Sequence, residues 1–218
     1  MDADAQVALF VNKLHFPVTS LGPGRRIGVW LQGCDIRCPG CISQDTWTVD
    51  PRVHETTVEK VLAWCQQMAA DGCDGITISG GEPFQQPKAL KLLLEGLRHR
   101  LPDSIDVLAY SGYSLEELQA SHRTLLGLLD AVITDPFDPG RAPGRKWRGS
   151  ANQRLTLLSE GMAHRYREGD ESAPRRFQVT VDDATVWMIG VPAPGDVQRV
   201  VRSAATRGVR LGGVSWRA

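Results

Sequence analysis

The chain has 218 residues, and its 25 Lys and Arg residues balance its 25 Asp and Glu residues, so the formal net charge is zero. A neutral chain has no overall field that attracts nucleic acid or an anionic membrane. No apolar run reaches the roughly 20 residues of a membrane span. The length and the 42% hydrophobic content predict one domain with a real core and room for a small extension.

Apolar patterns of period two and period 3.6 alternate along the first 134 residues. They predict strands at residues 8–11, 26–32, 75–79, 105–110 and 130–134. They predict helices at residues 56–72, from Pro87, and from Ser114, with capping boxes at Thr56–Glu59 and Ser114–Glu117. This alternation predicts an α/β fold with a parallel sheet covered by helices. Four βα steps, which start from the strands at 26–32, 75–79, 105–110 and 130–134, are too few to close an eight-stranded barrel, so we expect a partial, open barrel.

The remainder of the chain is less regular. Residues 136–149 form a Pro/Gly-rich loop with basic residues in its second half, and residues 164–176 are charge-dense and predict a surface connection. Residues 176–191 predict a hairpin with its turn at Asp182-Asp183, followed by a helix from Gly195 to Gly208 and a strand at 209–216. We therefore expect a core at residues 1–160 and a C-terminal extension at 161–218 packed on it.

The use of cysteine is informative about compartment and chemistry. Five cysteines are an odd number and three lie in one loop, which argues against a disulfide scaffold and for a reducing cytoplasm. An acidic N-terminus without a secretory pattern agrees with a cytoplasmic location. Cys65 falls on a predicted apolar helix face and Cys73 in a turn, so we interpret both as structural rather than as ligands of a second metal centre.

Cys34, Cys38 and Cys41 are separated by three and two residues. Three cysteines are one short of the four that close a structural zinc site or a fully ligated four-iron cluster. A cluster held by three thiolates leaves one iron open to a reactant. The alternatives are a zinc site completed by His15 and a redox-active thiol pair.

The predicted strand at 75–79 ends in Gly80-Gly81-Glu82-Pro83. In open α/β sheets the chemistry lies at the carboxyl ends of the strands. The cysteine loop, this turn, Ser111-Gly112 and Asp135-Pro136 all follow predicted strands, so we expect them to meet at one edge of the sheet.

With these two motifs the chain resembles the radical S-adenosylmethionine (radical SAM) superfamily. Further segments within residues 20–158 resemble the small activating enzymes of glycyl-radical enzymes, of which the activase of anaerobic ribonucleotide reductase is one. They are Gly22-Pro-Gly-Arg25, Cys38-Pro-Gly-Cys41, Thr46-Trp47, Tyr110-Ser-Gly-Tyr113, Asp135-Pro-Phe137 and Arg148-Gly-Ser-Ala-Asn-Gln-Arg154. The chain departs from these activases at Ile42, where they often have an aromatic residue or His, and in about its last sixty residues, which extend beyond them.

The resemblance implies a partial open (βα) barrel of the radical SAM type, with a C-terminal β-hairpin and helix extension. It implies a [4Fe–4S] cluster on Cys34, Cys38 and Cys41, with S-adenosylmethionine bound at its open iron. Glu82 would accept a hydrogen bond from the ammonium group of the methionine part. The other residues expected to bind this cofactor are Gly80 and Gly81 at the methionine, Gly40 and Ile42 at the adenine, Ser111 at the ribose or carboxylate, and Asn152 and Arg154 at the far end.

The activity implied is reductive cleavage of S-adenosylmethionine to methionine and a 5′-deoxyadenosyl radical, which abstracts hydrogen from a protein or peptide target. In the activases that the chain resembles, this target is a glycine on a large partner enzyme. A reductant such as flavodoxin or ferredoxin would supply the electron. The alternatives are modification of a short ribosomal peptide or a small metabolite, and, in another class, a non-catalytic iron–sulfur electron carrier. The loop at 136–149 is expected to close the site and to dock the partner through Arg141, Arg145 and Lys146.

Overall fold

The computed structural model describes residues 6–166, 177–182, 185–193 and 195–212. The strands are β1 (Ala8–Val18), β2 (Arg26–Leu31), β3 (Glu55–Thr57), β4 (Gly75–Gly80), β5 (Asp106–Tyr110), β6 (Ala131–Thr134), β7 (Arg154–Leu157), β8 (Phe177–Asp182) and β9 (Thr185–Gly190). The helices are α1 (Pro51–His54), α2 (Val58–Ala69), α3 (Pro87–Arg100), α4 (Leu115–Ser121), α5 (Arg123–Leu126) and α6 (Asp196–Thr206). Within these ranges no helix is both long enough and apolar enough to cross a membrane.

The main sheet of the described chain has seven strands in the order β3-β1-β2-β4-β5-β6-β7. Its central strands β2, β4, β5 and β6 are parallel, whereas β1, β3 and β7 pair antiparallel at the two sides. The prediction of a mixed α/β fold with four parallel strands is therefore confirmed. The partial-barrel shape and the division at residue 160 stay predictions.

Alternate residues of the strands face opposite sides of the sheet. Ile27, Val29 and Leu31 of β2 are fully buried in one core together with apolar residues of α2 and α3. Trp30, on the other face, belongs to a separate cluster that includes Val18 and Ile189. The helices thus cover one face, and the segments after residue 140 contribute to covering the other.

The start of α2 differs from the predicted capping box. Thr56 lies in β3, opposite Leu9 of β1. Thr57 is the N-cap, and its hydroxyl accepts a hydrogen bond from the Lys60 amide. Glu59 instead accepts a hydrogen bond from Arg100 at 2.8 Å. The predicted capping box at Thr56–Glu59 was therefore wrong, because Thr56 lies in the short strand β3 and the N-cap is one residue later, whereas the predicted capping box at Ser114 and Glu117 is confirmed.

Several elements of the C-terminal half were predicted correctly and others were missed. The hairpin β8–β9 and the helix α6 are confirmed, although the expected turn residue Asp183 lies outside the described residues. The strand predicted at 209–216 is absent from 209–212, and its remainder lies outside the described part. Residues 164–166 are not a plain surface connection, because Tyr166 is buried against Trp147. The short edge strand β7 was missed.

A buried ion pair joins the amino ends of the parallel strands. The guanidinium of Arg26 in β2 is fully buried and donates to both carboxylate oxygens of Asp106 in β5, at 2.7 and 3.1 Å. It also donates to the Thr77 hydroxyl at 2.6 Å. Asp106 further accepts from the Tyr166 hydroxyl and pairs with Arg165 at 2.9 Å. This network lies at the edge of the sheet opposite to the predicted site.

Candidate functional site

The cysteine loop begins where β2 ends and is closed by backbone hydrogen bonds. The Gly33 amide donates to Thr46 at 2.7 Å, and the Cys34 amide donates to Trp47 at 3.1 Å. The buried side chain of Gln32 donates to two more carbonyl groups, those of Asp45 and Thr48. The carbonyl groups of Thr46 and Trp47, a pair noted in the sequence, therefore hold the two ends of the cysteine loop together.

The three loop cysteines are free and partly exposed. Burial raises the pKa of the Cys38 and Cys41 thiols, and backbone groups of Phe137 and Ser43 oppose that increase. The Ser43 amide donates to the Cys41 sulfur at 3.4 Å. Thiols with raised pKa values give up their protons when a metal replaces them, and an amide that points at a ligand sulfur tunes the potential of an iron–sulfur cluster.

The zinc alternative is not supported by the geometry. In the described ranges, no group of three or more His, Cys, Asp and Glu side chains is placed to hold a metal ion. His15 lies in β1 opposite Gly28, and its ring centroid is 6.0 Å from that of Trp187. A tetrahedral zinc site of the three cysteines and His15 is thus not formed, whereas the thiols of a cluster bind different iron atoms.

The Gly-Gly pair is required by the cysteine loop itself. The Gly81 amide donates to Leu31, and the Glu82 amide donates to Gly33, both at 2.8 Å. A Cβ atom on Gly80, whose φ is +100°, would lie 2.4 Å from the Leu31 oxygen, and one on Gly81 would lie 2.2 Å from the Gly33 oxygen. These clashes give the glycines a structural reason beside the predicted contact with methionine.

Glu82 ties the end of β4 to the end of β5. Its side chain is 1% exposed. The carboxylate accepts hydrogen bonds from the Phe84 amide at 3.1 Å, the Ser111 hydroxyl at 2.9 Å and the Gly112 amide at 2.7 Å. Burial raises the pKa of Glu82 to about 7, although these three donors favour its charged form. A carboxylate has about four acceptor positions, so one remains for a further donor, and the contact of Glu82 with the cofactor stays a prediction.

We expect Glu82→Gln to weaken S-adenosylmethionine binding by roughly 1–3 kcal/mol, because it removes a charge-assisted hydrogen bond. The measurement is anaerobic titration of the reconstituted protein at pH 8, where the carboxylate is ionised. Glu95→Gln on the surface of α3 is the matched control and should bind normally. If Glu82→Gln lowers only the stability and leaves the affinity unchanged, Glu82 has a structural role alone.

The same variant is expected to change the pH dependence of folding. A carboxyl group whose pKa is raised in the folded state stabilises the protein at low pH. In the case of Glu82 that contribution is lost as the pH rises from about 4.5 towards about 7. Urea unfolding of the cysteine-reduced protein between pH 5 and pH 8 should show this loss in the wild type. The Glu82→Gln variant has no titrating group at position 82, so its free energy of unfolding should change less over the same pH range.

Arg154 and Asn152, at the β7 side of the same sheet edge, differ in their contacts. Arg154, in β7, pairs with Glu116 and with Asp135, each at 2.8 Å. The Asn152 amide nitrogen donates to Pro136 at 2.8 Å, but its buried Oδ1 has no hydrogen-bond donor within the described residues. A buried acceptor without a donor is costly. Asn152 can therefore accept a hydrogen bond from a further donor, and its contact with the cofactor stays a prediction, whereas the two ion pairs of Arg154 already give it a structural role.

The loop at 136–150 packs down on the cysteine loop. The Phe137 ring lies 3.5 Å from the position that a Cβ on Gly40 would take. Trp147 is buried, and its carbonyl accepts a hydrogen bond from the Tyr110 hydroxyl at 2.9 Å. Ser150, also buried, accepts from the Asp138 amide at 3.1 Å. The second half of this loop is therefore anchored at buried positions such as Trp147 and Ser150, whereas Arg141 and Arg145 are exposed, and its role in covering the site stays a prediction.

Sequence reasoning missed Gln85, which links two of the motifs. Its side-chain oxygen accepts from the Asp35 amide, next to Cys34, and its nitrogen donates to the Tyr113 hydroxyl, both at 3.1 Å. The only local signal was its place just after the Gly-Gly-Glu-Pro turn. Ile42 is exposed at the end of the cysteine loop. Its expected contact with adenine stays a prediction.

The sequence profile of a family described as "4Fe-4S single cluster domain" matches residues 20–156, which hold the cysteine loop and the strand ends that meet it. The chain belongs to this family. It is an enzyme of the radical SAM activating type, with a [4Fe–4S] cluster and S-adenosylmethionine as cofactors.

Individual relatives agree with this assignment. The chain is 32% identical over 152 residues to an anaerobic ribonucleoside-triphosphate reductase-activating protein of Vibrio cholerae. The aligned region covers 66% of this chain and 97% of that protein. Its counterpart in Escherichia coli K12 is 31% identical over 64% of this chain and 93% of that protein. A pyruvate formate-lyase-activating enzyme of Staphylococcus aureus is 31% identical over 52% of this chain and 47% of its own length.

Proposed function

We propose that this chain is an activating enzyme that generates a radical on a protein target, with a glycine of a glycyl-radical enzyme as the site of hydrogen abstraction. The observation that carries the proposal is the convergence of the cysteine loop, Glu82 and Ser111 at one edge of the sheet, joined by the hydrogen bonds described above. The relatives named as activating proteins support a protein as the target.

The cluster and S-adenosylmethionine together supply one-electron cleavage of a sulfonium and hydrogen abstraction. Cys34, Cys38 and Cys41 hold the iron, and the Ser43 amide stabilises the charge on one sulfur. Glu82 orients the amino group of the cofactor from a position fixed by its three donors. Asn152 offers its unfilled acceptor, and the packed loop at 136–150 excludes water. A small reductant of the flavodoxin or ferredoxin class delivers the electron.

A short ribosomal peptide or a metabolite is the second candidate target, favoured by one observation. Residues 157–218 lie beyond the family match, and their described part includes the hairpin β8–β9, which contacts β1 and is not part of the matched domain. An electron carrier is disfavoured, because a carrier has no use for an open iron beside a buried cofactor-binding carboxylate.

The proposal is tested by incubating the reconstituted, reduced protein with S-adenosylmethionine and the glycyl-radical enzyme encoded in the same genome. We expect an organic radical on the partner in electron paramagnetic resonance spectra, and transfer of deuterium from a labelled glycine to 5′-deoxyadenosine. Formation of 5′-deoxyadenosine without either signal would point instead to the peptide or metabolite alternative.

The basic loop is predicted to dock the target. Arg141 is exposed, and its pairing with Asp138 at 3.3 Å is a surface contact. Lys146 lies 4.5 Å from the centre of the Trp147 ring. Replacing Arg141, Arg145 and Lys146 with Ala should lower target activation roughly tenfold, at about 0.5 kcal/mol per surface charge. The loss should shrink at high salt.

The control for this loop is a triple Ala variant of Lys60, Lys88 and Lys91, which are exposed on α2 and α3. It removes the same charge from the helical surface and should activate the target normally. A drop in both target activation and uncoupled 5′-deoxyadenosine formation would place the basic loop in the cofactor site. Equal activation by both triple variants would remove the docking role.

A further inference from the structure

The hairpin β8–β9 is fixed along β1, on the face of the sheet that the helices leave open. The Gln178 side chain donates to Pro17 at 2.8 Å and accepts from the Thr19 amide at 3.0 Å. The Ser20 hydroxyl donates to the Ile189 carbonyl at 3.0 Å. Ile189 itself is 3% exposed and packs in the cluster that contains Trp30. The hairpin therefore packs on that face of the sheet and forms a wall beside β1.

The contacts of Trp187 lead from this wall towards the cysteine loop. Because β1 runs antiparallel to β2, Lys13 pairs with Trp30 near the carboxyl end of β2, and Val18 pairs with Arg26 at its amino end. Trp187 lies 5.3 Å from the Lys13 ammonium group, measured to the ring centre. Lys13 in turn pairs at 3.2 Å with Asp45, four residues after Cys41. One cation thus connects the hairpin to the segment that follows the cluster ligands.

Trp187 also presents a donor without an acceptor. Its Nε1 atom is buried and has no hydrogen-bond partner in the described part of the chain. An indole N–H can only donate, and a buried indole N–H without an acceptor costs free energy. An acceptor atom supplied by a bound molecule would remove that cost. The Lys13 ammonium, which has three donors and one carboxylate partner among the described residues, lies over the ring of the same tryptophan. Two neighbouring donors suit the carbonyl oxygen of an extended polypeptide.

We propose that the β8–β9 hairpin forms the target-selecting wall of the radical site, and that Trp187 and Lys13 bind a backbone carbonyl of the target segment. This inference rests on the proposed function and adds to it the residues that recognise the target. The hairpin lies outside residues 20–156, the part shared with the family. Selectivity for the target is therefore set here by a part of the chain that the cofactor machinery does not use.

The test uses Trp187→Phe, which keeps an aromatic ring against Lys13 but removes the N–H group. Lys13→Gln is the second variant, and it keeps most of the side-chain length. The control is Val181→Thr, on the same hairpin, at a side chain that is 68% exposed. For each full-length, reconstituted protein, activation of the glycyl-radical enzyme from the same genome is measured against target concentration. It is expressed relative to uncoupled 5′-deoxyadenosine formation by the same preparation.

We expect the KM for the target to rise about tenfold in Trp187→Phe and in Lys13→Gln, with Val181→Thr like the wild type. Wild-type KM values in both variants would overturn the inference, even though the target is activated. A parallel fall in uncoupled cofactor cleavage would also overturn it, because the hairpin would then support the cofactor site. If the wild type cleaves S-adenosylmethionine but activates no target, the proposed function fails first, and the two failures are distinct.

Discussion

Cys38→Ala is expected to abolish the iron–sulfur cluster, whereas Cys65→Ala combined with Cys73→Ala should retain about four irons per chain. Cys38 lies in the partly exposed loop at the carboxyl edge. Cys65 is fully buried in α2, and burial raises the pKa of its thiol to about 12. The Cys73 thiol donates to the Gly75 carbonyl at 3.1 Å, away from the loop.

The measurement is iron and sulfide content after anaerobic reconstitution, together with the visible absorbance of the cluster. Melting temperatures of the reduced apo proteins show whether each variant is folded. Loss of the cluster in the folded Cys65 and Cys73 double variant would contradict the assignment of the three ligands. Retention of a four-iron cluster in Cys38→Ala would contradict it equally.

Asp106→Ala is expected to lower the free energy of unfolding by about 3–5 kcal/mol, because it leaves the Arg26 guanidinium buried without its counter-charge. Arg26 and Asp106 are both fully buried, and Arg165 and Tyr166 also lose their contacts with the carboxylate. Urea denaturation of the reduced protein measures the change. The network is at the edge opposite to the cysteine loop, so we expect no direct effect on the cofactor site.

Two comparisons make this prediction specific. Glu95→Ala breaks the exposed pair between Lys91 and Glu95, which are 3.6 Å apart, and should cost no more than about 0.5 kcal/mol. Replacing Arg26 with Met together with Asp106 with Leu should recover much of the lost stability, since no buried charge is then left alone. An Asp106→Ala variant as stable as Glu95→Ala would refute the account of the ion pair.

The sequence allowed us to predict which loops meet at one edge of the sheet, because that prediction needs only local patterns. The loop of Cys34, Cys38 and Cys41 and the turn at Gly80–Gly81 each follow an apolar strand, and parallel strands end at the same edge. The hydrogen bonds between Glu82 and Gly33, and between Glu82 and Ser111, show that these turns do meet.

What the sequence did not reveal are interactions between distant residues. Arg26 and Asp106 are 80 positions apart, and neither lies in a motif. Arg154 was interpreted as a cofactor residue because of its motif, but its partner Glu116 lies 38 positions earlier, on α4. The hairpin β8–β9 was predicted from its alternating pattern, yet that pattern carries no information on which strand it would lie against. Local periodicity determines elements, whereas side-chain pairing across the fold determines their roles.

The most direct test of the central claim is the formation of 5′-deoxyadenosine and methionine by the anaerobically reconstituted protein, after reduction with dithionite in the presence of S-adenosylmethionine. The account predicts that both products form in equal amounts in the wild type and that neither forms in Cys38→Ala. A wild-type protein that holds a full, reducible four-iron cluster but leaves S-adenosylmethionine intact would contradict the account and favour an electron carrier.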